Sequence, residues 1–90
     1  MPVTGIFTDN GSTEAQTDGY STKIVAARGS FGGGSLQLEI RPTEDSDWFN
    51  AGPSARLTSE GVFYFVNKST MDYRLTLSEA TSPNVEWHIL

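Results

Sequence analysis

Leu36-Gln37-Leu38-Glu39-Ile40-Arg41 alternates apolar and polar side chains without a break, between Gly32-Gly33-Gly34 and Pro42. A period of two sends every second side chain to the same side, as in a strand with one face in a core and the other in water. A helix would turn Leu38 to the face opposite Leu36 and Ile40. The glycines launch the strand and the proline, which has no amide hydrogen, stops it.

The rest of the chain repeats this grammar at spacings of about 8 to 12 residues. Residues 20–27 read as a strand with Ile24 and Ala26 on one face and Lys23 and Val25 on the other. Residues 28–34 form a glycine-rich, flexible, hinge-like connection carrying one aromatic, Phe31. Pro42-Thr43-Glu44-Asp45-Ser46-Asp47 is a turn, because short oxygen-bearing side chains compete with a ladder for backbone hydrogen bonds. Trp48-Phe49-Asn50 starts a short strand that Gly52-Pro53 ends. A further short strand covers residues 54–58, with Ala55 and Leu57 on one face. Val62-Phe63-Tyr64-Phe65-Val66 is apolar on both faces, as in a central strand or one under a subunit interface. Residues 67–72 turn again. Tyr73, Leu75 and Leu77 then alternate with Arg74, Thr76 and Ser78, and Val85, Trp87 and Ile89 with Glu86 and His88.

This pattern predicts an all-β fold: a small antiparallel β-sandwich or barrel of about seven to eight strands. The expected core draws on Ile24, Ala26, Leu36, Leu38, Ile40, Trp48, Leu57, Phe63, Phe65, Leu75, Leu77, Trp87 and Ile89. Gln37, Glu39 and Arg41 read as ordinary solvent surface. Residues 1–19 are polar apart from Val3, Ile6 and Phe7 and form either an N-terminal arm or an edge strand. Residues 20–90 form the sandwich domain.

Ninety residues suit a single core. A domain of this size buries only about 60 to 65% of its unfolded surface, so its stability is thin. With no cysteine and one histidine, the chain has neither disulfides nor a zinc site with which to compensate. Docking on a larger body is a physical substitute, since a partner that binds only the folded state stabilises it. The six basic residues, Lys23, Arg28, Arg41, Arg56, Lys68 and Arg74, stand singly in a chain of net charge −5. They make no stripe to follow a phosphate backbone, so no nucleic-acid partner is expected. No run approaches the roughly 18 apolar residues of a membrane-spanning helix, and no membrane partner is expected. The start, Met1-Pro2-Val3-Thr4-Gly5, lacks a secretory signal pattern, pointing to synthesis in a cytoplasm.

The chain offers little chemistry. His88 is the one available imidazole base, it lies in an alternating strand, and no Gly-x-Ser-x-Gly elbow accompanies it. Glu44, Asp45 and Asp47 bring carboxylates together, but without the glycine and closing glutamate of a calcium loop. They read as a solvated turn. Residues 29–34 lack the lysine and following helix of a phosphate loop. No catalytic residue, metal or cofactor is expected. Trp48 and Trp87, with Tyr20, Tyr64 and Tyr73, supply either a sugar-stacking platform or core and interface anchors.

Two segments carry a resemblance. The first is Gly34-Ser35-Leu36-Gln37-Leu38-Glu39-Ile40, an acidic turn, then Trp48-Phe49. The second is Leu57-Thr58-Ser59-Glu60-Gly61-Val62-Phe63-Tyr64-Phe65, followed by Asp72-Tyr73-Arg74-Leu75-Thr76-Leu77-Ser78-Glu79-Ala80-Thr81-Ser82-Pro83. Together they resemble small β-sandwich virion proteins of tailed bacteriophages over residues 32–90. The chain departs from that pattern at Glu44-Asp45-Ser46-Asp47, where a glycine-containing turn is frequent. The resemblance implies a non-enzymatic structural protein, foremost a capsid decoration (cement) protein on the outer surface of a phage head. It would be made in the host cytoplasm, with the major capsid protein as partner and homo-oligomerisation left open. A head-tail or tail-associated adaptor is the alternative within that class, and a carbohydrate-binding module using Trp48 and Trp87 the alternative outside it. The expected partner surface comprises Val3, Ile6, Phe7, Phe31, Tyr64 and Val66.

Overall fold

In a computed structural model that describes residues 3–17, 21–67 and 71–90, the alternating segments become nine antiparallel strands in two sheets. They are β1 (Val3–Phe7), β2 (Gly11–Ser12), β3 (Ser21–Ser30), β4 (Ser35–Arg41), β5 (Phe49–Asn50), β6 (Arg56–Leu57), β7 (Gly61–Asn67), β8 (Asp72–Ser78) and β9 (Asn84–Ile89). The first sheet has the order β1-β9-β3-β7; the second has the order β2-β8-β4-β5, with β6 also on β4. The chain is an all-β sandwich, and it changes layer at six of the eight connections between these strands. Of the two forms expected for the N-terminal segment, Val3–Phe7 takes the edge strand, pairing along β9 from Val3–Ile89 to Phe7–Val85. Tyr20 and most of the turn between Asn67 and Asp72 lie outside the described residues.

The core lies between the sheets. Val25, Ala27, Phe63, Val85, Trp87 and Ile89 of the first sheet face Leu36, Leu38, Tyr73, Leu75 and Leu77 of the second. Across the layers the Phe65 and Tyr73 rings meet edge to face, 5.2 Å between centroids, the arrangement ring quadrupoles prefer.

Several expectations are corrected. In β3 the inward set is Lys23, Val25 and Ala27; Ile24 is exposed and Ala26 half-buried. Both parities of this strand carry apolar residues, so alternation alone cannot choose. Register chooses instead: Val25 pairs with Ile89 on one side and Phe63 on the other, both inward. Trp48 leaves the core for the outside of the second sheet, against Arg41 and Arg74. The proposed strand over 54–58 is a 3-10 turn at Pro53–Ala55 followed by the two-residue β6, since Pro53 presets the turn's φ at its first position. β7 is not central but the edge of its sheet.

The glycine-rich connection is packed rather than hinge-like. Phe31 enters the core at 5% exposure, and the backbone of residues 31–34 lies against residues 78–81, with Thr81 N–H donating to Gly32 O at 3.0 Å. A Cβ on Gly32 would stand 2.2 Å from the Thr81 carbonyl, and one on Gly34 2.4 Å from that of Ser78. Only glycine permits this approach. The Asn10 amide joins the same end: its Oδ1 accepts from Ala80 N–H and its Nδ2 donates to Ala80 O.

Candidate functional surfaces

The two outer faces of the sandwich have opposite chemistry. On the second sheet, the polar side chains of the opening strand are tied into a network. Arg41 pairs with Asp72 at 2.7 Å and Arg74 with Glu39 at 2.8 Å, each across neighbouring strands. Thr17 donates to Asp72, Thr76 donates to Glu39 at 2.7 Å, and Ser12 shares a hydrogen bond with Thr76. Trp48 lies against both guanidinium groups, 4.5 Å from Arg41 and 4.2 Å from Arg74 to its ring. Hydrogen bonds from Thr17 and then Arg41 hold the Asp72 carboxyl below the usual aspartate range.

Gln37, expected in solvent, is 7% exposed. Opposite the single residue Leu38, the partner strand breaks into the five-residue excursion 51–55 between β5 and β6. The Gln37 amide fills that gap. Its Nε2 donates to the carbonyls of Leu38, Gly52 and Ala55 at 3.0 to 3.2 Å, and its Oε1 accepts from Arg56 Nε at 2.9 Å. The expected wet face of the strand is therefore a hydrogen-bonded structural surface.

The outside of the first sheet carries an apolar stretch along β3 and β7. Ile6, Ile24, Val62, Tyr64, Val66 and Leu90 stand between 42% and 76% exposed. Cross-strand register places Ile24 beside Tyr64, Thr22 beside Val66, and Ala26 between His88 and Val62. Large side chains at this exposure normally mark a binding surface when they adjoin one another. A polar strip crosses the face near Ile6: Glu86 accepts from His88 Nε2 at 2.6 Å and lies 3.5 Å from Arg28. The bond to His88, ahead of the charge of Arg28, lowers the Glu86 pKa. Arg28, Glu60, Val62, Glu86, His88 and Leu90 border an open cleft of about 560 Å³. Thr4, opposite His88, donates its hydroxyl to the Trp87 carbonyl at 2.9 Å.

The six residues expected at a partner surface are distributed as follows. Ile6, Tyr64 and Val66 share the apolar outer face. Val3 and Phe7 turn inward against the core, Phe7 tilting onto Trp87 at 6.3 Å. Phe31 is in the core and presents no surface. Ile24, Val62 and Leu90, missed from sequence, complete the patch; the apolar residues of β3 and β7 left over once register is fixed were the signal for two of them. Trp87 is buried, and Trp48 is half-buried with Arg41 and Arg74 against its ring. Among the described residues, no cluster of three or more metal-ligating side chains occurs, and Glu44, Asp45 and Asp47 are exposed. Comparison with family models, with curated proteins and with solved structures returns no match to this chain.

Proposed function

We propose that this chain is a non-enzymatic virion structural module, a capsid decoration protein that sits on the outer surface of a phage head and binds its major capsid protein. The observation that carries the reading is the contrast between the faces. One is saturated by ion pairs and hydrogen bonds, and the other exposes adjoining isoleucine, valine, tyrosine and leucine side chains. The strand-and-turn resemblance of residues 32–90 supplies the kind of partner. Attachment then runs through the outer face of the first sheet, with Ile6, Ile24 and Leu90 in contact with the shell. Burial of such side chains stabilises a contact by about 25 cal/mol per Å² before ordering costs.

The test is addition of purified protein to expanded heads of the encoding phage. Saturable binding is expected, with Ile24→Lys and Leu90→Lys weakening it at least about tenfold, which corresponds to about 1.4 kcal/mol. Absence of binding to those heads, or full binding by both variants, overturns the reading.

A further inference from the structure

We propose that β7 pairs antiparallel with β7 of a second copy of this chain, about a two-fold axis midway between the two Tyr64 residues. This goes beyond the capsid reading and does not rest on it, since it concerns the strand edge and the isolated protein.

The first observation is the direction of the backbone groups. Ile24 and Leu90 exchange both backbone hydrogen bonds, at 3.1 and 2.8 Å, so Ile24 turns its N–H and C=O toward β9. Alternation along β3 then turns Lys23, Val25 and Ala27 toward β7, where they pair with Phe65, Phe63 and Gly61. Val62, Tyr64 and Val66 consequently aim their N–H and C=O groups out of the sheet edge. Gly61–Asn67 carries no charge and no proline, the usual devices that keep an edge from pairing.

The second observation identifies the occupant. Val62-Phe63-Tyr64-Phe65-Val66 is a palindrome centred on Tyr64. A two-fold axis there sets Val62 against Val66, Phe63 against Phe65 and Tyr64 against itself, and the three outward-aimed residues of each copy exchange six backbone hydrogen bonds. The interface is isologous, as in the two-fold dimers that are the commonest homo-oligomers. The opposite edge lacks this symmetry: reversed about Gly5, β1 sets Val3 against Phe7 and Thr4 against Ile6. Beside β7, Ser54 lines a cleft with Val62, Phe63 and Tyr64. The product is a continuous eight-stranded sheet with a doubled apolar outer face.

The experiment uses the purified full chain. Sedimentation from about 1 µM to 1 mM covers the range of small interfaces and is expected to show a reversible dimer. In a mixture of differently labelled chains, isotope-filtered NOEs are expected between Val62 and Val66 and from Tyr64 to itself. Tyr64→Lys and Tyr64→Glu place like charges directly opposite each other, so each weakens self-association at least about tenfold, while mixing the two restores dimers. Tyr64 is 76% exposed, so circular dichroism should report both variants folded. A monomer throughout the range, or a dimer lacking the Val62–Val66 contacts, overturns the proposal. Because no phage head enters the experiment, its failure is separate from failure of the capsid reading.

Discussion

Replacing Gln37 tests whether a buried side-chain amide holds the broken edge of the second sheet. Nε2 serves three carbonyls, but two of them keep another donor: Leu38 O accepts from Ala51 N–H and Gly52 O from Ala55 N–H. Gln37→Ala loses these shared bonds and the one accepted from Arg56 Nε, at roughly 0.5 to 1.5 kcal/mol each. A total near 3 kcal/mol is expected from urea denaturation at pH 7. Gln37→Glu should cost more at that pH, because a carboxylate oxygen replaces the donor facing three carbonyl oxygens and the Arg56 contact offsets only part of this. Those surroundings favour the protonated acid, which can donate. The folded-state pKa of the introduced carboxyl is then raised, so its contribution is intact below the ordinary glutamate value, about 4.3, and is lost as pH rises through the folded value. The deficit of the Gln37→Glu variant against wild type should shrink on acidification, while that of the Gln37→Ala variant should not. Amide exchange at Ala51 and Ala55 should accelerate in both. A Gln37→Glu variant as stable as wild type at pH 7, or a loss below about 0.5 kcal/mol for Gln37→Ala, refutes the reasoning.

The two tryptophans should separate. Trp48→Ala forfeits two cation–π contacts, about 1 to 2 kcal/mol together, whereas Trp87→Ala opens the core and costs about 3 to 5 kcal/mol; denaturant midpoints read both. Gly33→Ala meets no atom within 4 Å and bears only left-handed strain, about 1 to 2 kcal/mol. Gly32→Ala must also displace the Thr81 carbonyl and should cost about 3 kcal/mol or more, so equal melting temperatures for the pair would contradict the packed loop. Asp72, with its pKa lowered by Thr17 and Arg41, contributes stability above the ordinary aspartate value that disappears as pH falls through the folded value. Asp72→Asn should be less stable at neutral pH and lose less on acidification, a difference that acid titration of unfolding resolves.

The strands that alternate cleanly were legible from sequence, and those with two apolar faces were not. β4, β8 and β9 each have one apolar parity, so a single face was available to the core, and it went there. In β3 and β7 both parities are apolar, and the choice between Ile24 and Val25 belongs to pairing partners distant in sequence, Phe63 and Ile89. Trp48 misled for a related reason. Its size argues for burial, but its cover comes from Arg41 and Arg74, which sequence spacing does not place above it. Gln37 was hidden because its partners are carbonyls of a five-residue excursion, an irregular feature without a periodic signature. The apolar outer face follows from the same rule: residues of β3 and β7 that lose the contest for the core are left on the surface.

A strand edge that pairs with its own copy also changes how a small domain should melt. If the dimer dissociates as it unfolds, a tenfold rise in concentration adds about 1.4 kcal/mol per dimer, or about 0.7 kcal/mol per chain. Unfolding entropy near 2.1 cal/mol/K per residue gives about 0.19 kcal/mol/K for 90 residues. The melting temperature should therefore climb by about 4 °C per decade of concentration where the dimer predominates. Tyr64→Lys, folded but unpaired at the edge, should melt at one temperature throughout. Scanning calorimetry over two decades distinguishes these outcomes, and a concentration-independent wild-type transition means that the edge stays open and the chain stands on its monomeric core.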